Sequence, residues 1–376
     1  MPPRVPTIVV AAILVVAGFA TLGAPAHAAK GMEIALQDDG AFVSEYSIKR
    51  KKALGLADKL FVSRIRVNLP WSAIVNSPRK KKRPKKRHYD FTSYDALYRK
   101  AKQHGIKLQV TISGFAPAWA TGNHKIGGYK IKTKYFKEFA HAVAKHFRLA
   151  ADRYSVYNEA NYVSWNGPLS SAAKTYRELY KIAYKEIRKT DPRAKILIGE
   201  TAPYAQSGRS IAPLKFIRDV VKPGPLKADG YAHHPYDFRH SIDYRYPGSD
   251  NVTISSLSRL TKQLDKLAKS KRLTTPAGKP LDVYLTEYGY MASGRYRVSE
   301  SRRAKYVTKA FQIALDNPRV KQMLQYLLVK PPPQSDFFDT SIVGKKTKLT
   351  KTFKALASWA KKQATHRKIA RRLPRP

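Results

Sequence analysis

Along most of the chain, short apolar runs alternate with longer segments in which apolar residues recur every third or fourth position. The short runs fall at 32–37, 61–68, 107–113, 153–158, 195–199, 230–234, 283–287 and 324–329. They are rich in Val, Ile, Leu and Tyr and bounded by polar residues or Gly, the pattern of strands buried in a parallel sheet. Between them, Ala172, Tyr176, Leu179, Ala183 and Ile187 form a helical stripe within 170–191, and Pro192 stands where a helix must stop. Leu257, Leu260, Leu264 and Leu267 form another, and Phe136, Phe139, Ala140 and Val143 a third. The segment 93–104 ends at Gly105, a natural C-cap. The first and last helices are expected at 44–58 and 349–362. Strand then helix, repeated eight times, predicts an α/β fold: a single (β/α)₈ barrel over 29–365. An open doubly wound sheet would carry a Gly-rich phosphate turn after an early strand, and the sequence has none there.

The N-terminus breaks this pattern. Arg4 precedes an apolar run at 8–20, and Ala26-His27-Ala28 places small residues where a signal peptidase cuts. Residues 1–28 are therefore expected to be a secretory signal, with the mature, extracellular chain starting at Ala29. The run is shorter than the roughly 20 residues that span a bilayer, so no membrane span is expected after cleavage. The chain has 376 residues, the length of one barrel with long loops. It has no cysteine, which excludes disulfides, thiolate metal sites and a cysteine nucleophile.

In a (β/α)₈ barrel the chemistry sits at the C-terminal ends of the strands. The second strand carries Arg66, followed by Asn68 and Trp71, and the third runs into Phe115 and Trp119. The fourth ends in Tyr157-Asn158-Glu159, the sixth in His233-His234-Pro235-Tyr236, and the seventh in Thr286-Glu287-Tyr288. In a chain with 26 acidic residues against 72 basic ones, two glutamates at strand ends stand out. Carboxyls on the fourth and seventh strands face each other across a barrel mouth. Such a pair hydrolyses glycosidic bonds, with retention when about 5–5.5 Å apart. Aromatic residues around the mouth would stack on sugar rings. Glu200, after the fifth strand, is either structural or a subsite residue, and His233 reads as a packed histidine. No metal-ligand spacing such as HExxH occurs, and the pair needs no cofactor.

These motifs, in this order, resemble the retaining glycoside hydrolases of clan A, families 5 and 39 above all. The residues that carry the resemblance are Tyr157-Asn158-Glu159-Ala160-Asn161 with Trp165, and Leu285-Thr286-Glu287-Tyr288-Gly289. Arg66-Val67-Asn68-Leu69-Pro70-Trp71, His234-Pro235-Tyr236 and Phe338-Asp339-Thr340-Ser341 add to it. The resemblance implies Glu159 as acid/base and Glu287 as nucleophile. It implies Asn158 on the sugar 2-hydroxyl, Tyr236 bonded to the nucleophile, Arg66 beneath it and His234 lining the site. Trp119, Trp165 and Tyr326 are expected to contact substrate. Two positions depart from the family pattern: Ala160 stands where a Pro is usual, and Tyr326 where the last strand usually ends in a Trp.

Charge adds a second feature. The formal net charge is +46, which points to polyanionic surroundings. Arg79, Lys80, Lys81, Lys82, Arg83, Lys85, Lys86 and Arg87 crowd one loop, interrupted only by Pro84, between the second strand and second helix. That loop belongs to the active-site face. It is either a solvated charge run or a grip on anionic cell-wall polymers. Most of the excess lies elsewhere, as in Lys49 to Lys52 and the basic tail 366–376. A secretory signal argues against a specific nucleic-acid partner. A monomer acting on an oligo- or polysaccharide is expected. A non-catalytic binder of anionic polysaccharide and a transglycosylase stay open as alternatives.

Overall fold

The computed structural model describes residues 31–238, 240–332 and 338–374. The expected signal at 1–28 lies outside the described residues, as do 375–376 of the tail. Eight parallel strands close into one barrel. They are β1 (Glu33–Gln37), β2 (Arg64–Pro70), β3 (Lys107–Ser113), β4 (Ala151–Val156), β5 (Lys195–Thr201), β6 (Gly230–His233), β7 (Val283–Leu285) and β8 (Val320–Tyr326). They follow one another around the barrel in chain order, and β8 closes against β1. The main outer helices are α1 (Arg50–Lys59), α2 (Thr92–Gln103), α3 (Thr133–Phe147), α4 (Leu169–Thr190), α5 (Pro213–Val221), α6 (Leu257–Lys269), α7 (Glu300–Asp316) and α8 (Lys351–Thr365). No helix among the described residues is long and apolar enough to cross a membrane.

The expected (β/α)₈ barrel is thus the fold, and each expected strand overlaps one of the eight. The shifts have local causes. The first helix starts later than expected because Glu45 adopts a left-handed backbone, φ 57; its carboxylate then accepts from the Arg50 N–H at 2.6 Å, serving the first turn of α1. Phe61 sits in a turn at φ 55 rather than opening β2. The last strand begins earlier than expected because its first half carries Lys321 and Gln322. Gln322 points inward and accepts from Arg153 at 2.6 Å.

The strands alternate. Ile65, Val67 and Leu69 of β2, and Leu108, Val110 and Ile112 of β3, pack outward in the hydrophobic core against the helices. Their neighbours Arg64, Arg66, Gln109 and Thr111 are buried inside the barrel, since successive side chains take opposite faces. The lumen is therefore polar, and its charges are paired. At the N-terminal end Arg64 donates to Glu33 at 2.8 Å and the Arg153 guanidinium lies 4.5 Å over the Tyr284 ring. The tail is not a free appendage. Ile369 pairs with Met32, Leu373 N–H donates to the Gly105 carbonyl at 3.0 Å, and Arg372 donates to the Ala57 carbonyl at 2.8 Å. It thereby covers the end of the barrel opposite the site.

Candidate active site

At the C-terminal end the lumen charges become a constellation. Arg66, central on β2 and fully buried, has five partners from five other strands. Its Nε donates to Thr111 on β3 at 2.9 Å. One Nη donates to Glu287 Oε1 at 2.7 Å and to Gln37 of β1. The other donates to Asn158 Oδ1 at 2.9 Å and to Glu200 Oε2 at 3.1 Å. Burial works against its charge, but Glu200 and Glu287 outweigh that and hold its pKa above the ordinary value. One guanidinium thus anchors both Glu287 and the amide of Asn158. With its oxygen so engaged, Asn158 keeps a free Nδ2 among the described residues.

Past β4 and β5 the chain takes unusual turns. Tyr157, Glu159 and Glu200 hold φ of 50, 38 and 47. Side chains in this left-handed region cost on the order of 1–3 kcal/mol each, and such strain concentrates at functional sites. The Glu159 N–H donates to the Glu200 carbonyl at 2.8 Å, tying the two turns together. The turn aims the Glu159 carboxyl at the cleft; its side chain is 21% exposed, whereas that of Glu200 is 0%.

His234 lies between the carboxylates. Its Nδ1 is 3.0 Å from Glu159 Oε1 and its Nε2 2.7 Å from Glu200 Oε2. The same Nδ1 is 3.7 Å from Glu287 Oε2. One nitrogen that near to both oxygens keeps the Glu159 and Glu287 oxygens under roughly 7 Å apart, a span that admits the 5–5.5 Å of a double displacement. Burial disfavours an imidazolium, but Glu287, Glu159 and Glu200 overcome it and raise the His234 pKa to about 10. Burial pushes Glu200 the other way, yet Arg66 and His234 hold it at about 2. Tyr236 donates to Glu287 Oε2 at 3.2 Å, so both Glu287 carboxylate oxygens are bonded from below and beside. His233 faces outward from the site, between Thr201 Oγ1 and the Val252 carbonyl, each at 2.9 Å, and burial drops its pKa to about 3.

Above these groups opens a cleft of about 550 Å³. Asn158, Glu159, Glu287, Tyr236, Trp165 and Tyr326 line it, as do Phe115, Tyr204 and Phe338. Phe115 and Trp165 stack at 4.5 Å, forming one apolar wall. Among the described residues that line the cleft there is no Lys or Arg. The structure therefore brings Arg66, Asn158, Glu159, His234, Tyr236, Trp165, Glu287 and Tyr326 to one place.

One expectation needs correction. Trp119 does not reach the cleft. It is 1% exposed and packs edge-on against Trp71 at 5.3 Å, because its short 3₁₀ turn lies over α3 rather than the mouth. Of the two readings of Glu200, the subsite one fails and the structural one holds, since its carboxylate is sealed beneath His234 and Arg66. The sequence signal for it was present: an acid at a strand end in an acid-poor chain. Gln37 and Thr286 were missed, since neither residue type implies chemistry. Thr286 donates to Glu200 Oε2 at 2.7 Å. Among the described residues no cluster of His, Asp and Glu is arranged to hold a metal ion.

The basic loop is partly pinned. Arg87 Nε donates to Glu138 of α3 at 2.7 Å, and Arg83 also pairs with Glu138. The Arg83 guanidinium lies 4.9 Å over Tyr135 and 5.9 Å over Trp119. Arg79, Lys80, Lys81, Lys82, Lys85 and Lys86 are exposed. The loop leans on the segment after β3: the Ala118 N–H donates to the Pro78 carbonyl at 2.7 Å. It therefore stands on the Phe115 side of the mouth, outside the cleft lining.

No family description and no curated protein matches the chain. Its likeness is to solved structures. One is a family 39 glycoside hydrolase from the gut symbiont Bacteroides cellulosilyticus WH2, at 18% identity and a TM-score of 0.65, over 88% of this chain. The chain spans 64% of that protein's length. Another is a monomeric beta-xylosidase from Caulobacter crescentus CB15, at 17% identity and TM-score 0.61, covering 89% of this chain and 68% of the other. A third is xylanase 10B from Thermotoga petrophila RKU-1 in complex with xylobiose, at 17% identity and TM-score 0.59, covering 89% and 95%. At such identities the likeness establishes the shared (β/α)₈ fold.

Proposed function

We propose that this protein is a secreted retaining β-glycosidase that cleaves O-glycosidic bonds by double displacement. The observation that carries the reading is one imidazole, His234, within 3.0 Å of Glu159 and 3.7 Å of Glu287 at the floor of an aromatic-walled cleft. Glu287 attacks the anomeric carbon while Glu159 gives its proton to the leaving oxygen; the glycosidic bond breaks and an ester to Glu287 forms. Glu159, now a carboxylate, takes a proton from water as that water attacks the same carbon and frees Glu287. Arg66 and Tyr236 hold the Glu287 carboxyl in place and aimed, and the Asn158 Nδ2 would meet the sugar 2-hydroxyl. The chemistry uses no cofactor. The similarity to glycoside hydrolases of the same fold supports the reading.

The sugars at the reacting centre are read as neutral, since the described residues that line the cleft include no Lys or Arg to meet a carboxylate or phosphate. The exposed cations of the loop at 79–87 contact anionic wall polymers near the mouth instead. The enzyme acts as a monomer outside the cell, with the signal at 1–28 removed.

A panel of aryl β-glycosides and of neutral and acidic polysaccharides, with Glu287→Gln as the paired control, tests the function. Turnover abolished by the substitution supports the reading. No turnover, with equal polymer binding by both proteins, replaces it with the non-catalytic binder.

A further inference from the structure

Glu200 touches neither the cleft nor the two carboxyls of the reaction, yet it is the most completely enclosed carboxylate of the site. Its Oε2 alone accepts from Arg66 at 3.1 Å, from His234 at 2.7 Å and from Thr286 at 2.7 Å. An oxygen with three donors belongs to an ionised carboxylate, since a carboxylic acid there would lose its charge-assisted bonds. A third buried anion is more than a two-carboxyl reaction needs, and it is costly unless it is paired.

We propose that Glu200 is a positioning residue for the acid/base step: it keeps His234 doubly protonated, so that the Nδ1–H occupies Oε1 of Glu159 and the transferable proton stands on Oε2, open to the cleft. The inference rests on the reading of Glu159 as acid/base given above. Arg66 and His234 supply two positive charges; Glu200 and Glu287 supply two negative ones. The site is then neutral only when Glu159 carries a proton, which is the state the first step requires. Glu159 Oε1 already accepts from His234, so that proton goes to Oε2, which has no protein partner among the described residues.

Without the Glu200 charge, neutrality needs one proton fewer. The one that remains is shared between His234 Nδ1 and Glu159 Oε1, and nothing stands on Oε2 to be donated. The other charged and titratable groups facing the site are His233, Asp39, Tyr236 and Tyr326, and none adds a positive charge to this count. His233 stays neutral, held low by burial. Asp39, which accepts from the Gln37 amide at 3.1 Å, is pushed up to about 7 by its own burial. Whatever charge Asp39 carries is negative and acts in the same sense as Glu200. Tyr236 and Tyr326 stay protonated, their pKa values raised by burial and by Glu287.

The test compares wild type and Glu200→Gln on aryl β-glycosides with good and poor leaving groups, across pH. A general acid is worth roughly 10²–10⁴-fold where the leaving group needs a proton. Glu200→Gln is therefore expected to lose at least about 100-fold in kcat/KM on poor leaving groups and under about 10-fold on activated ones, with its alkaline limb moved to lower pH. Equal losses on both classes, with an unmoved pH profile, would mean that Glu200 only supports the fold, and would overturn the proposal. A second measurement requires neither the variant nor turnover. Nitrogen NMR of labelled histidine in wild type is expected to show both His234 ring nitrogens protonated at pH 8. A neutral His234 tautomer there overturns the proposal. If wild type turns over no glycoside, the functional reading fails, and the NMR result still decides the protonation of His234.

Discussion

The backbone N–H of Glu159 donates to the carbonyl of Glu200 at 2.8 Å, and both residues hold left-handed backbone. This joins the strained ends of β4 and β5 and turns their side chains in opposite senses, Glu159 to the cleft and Glu200 to the lumen. His234 then bridges the two carboxylates from β6. The exposed acid and the buried acid are thus set by a single local arrangement.

Arg66 is the center of the buried charges. Replacing it with Met leaves Glu200 and Glu287 without their shared cation. Breaking a buried pair in this way costs about 3–5 kcal/mol. Denaturant unfolding is expected to show a loss of that order, with activity gone even where the protein stays folded. A change under about 1 kcal/mol would mean that water or another cation compensates.

Stability should peak in mildly acidic solution. His234 has its pKa raised from 6.5 to about 10, so the stability it gives is complete below 6.5 and is lost as pH rises through about 10. Asp39, raised from 3.8 to about 7, adds a loss on the acid side of neutrality: the stability tied to its protonated form is complete below 3.8 and is gone once pH has climbed through about 7. Glu200, lowered from 4.5 to about 2, contributes fully above 4.5 and is lost as pH falls toward about 2. Urea midpoints measured from pH 3 to 10 should fall on both sides, and His234→Gln should flatten part of the alkaline fall. A wild-type midpoint constant from pH 6 to 10 contradicts this.

The two tryptophans expected at the cleft should behave differently. Trp119→Ala removes a buried ring from the cluster with Trp71 and should cost about 3–5 kcal/mol of stability. Trp165→Ala should leave the melting temperature nearly unchanged and raise KM, because its ring forms the cleft wall with Phe115. Reversed effects would place Trp119 at the substrate.

The basic loop should act on polymers and not on chemistry. Changing Arg79, Lys80, Lys81, Lys82, Lys85 and Lys86 to Gln is expected to weaken binding to acidic polysaccharide and flatten its salt dependence, with aryl-glycoside turnover kept. The control changes Lys222, Lys262, Lys266, Lys269, Lys271 and Lys279, equally exposed on the α6 side. If both sets weaken binding alike, the global charge and not the loop makes the contact.

The order of elements was legible because strands and helices differ in hydrophobic period, and a barrel sets them in one sequence. Glu159 and Glu287 were legible because acids are scarce here and both end strands. Two things were not legible. The first was the polar lumen: nothing in the residue types of Gln322 and Arg153 marks them as buried, yet they satisfy each other inside the barrel. The second was depth. Glu159 and Glu200 both follow short strands, and only the turns at φ 38 and φ 47 decide which acid meets solvent. Trp119 failed for the same reason, since a pattern of residue types does not say on which side of a loop a ring will pack.

The central claim is a covalent intermediate on Glu287. Its most direct test is mass mapping of protein treated with activated fluorosugar aryl glycosides of the gluco, xylo, galacto and manno series. These form the glycosyl ester but hydrolyse it slowly. The account predicts one added sugar on the peptide containing Glu287, and none in Glu287→Gln. Turnover of an ordinary aryl β-glycoside with no adduct, releasing the α-anomer as first product, would contradict it.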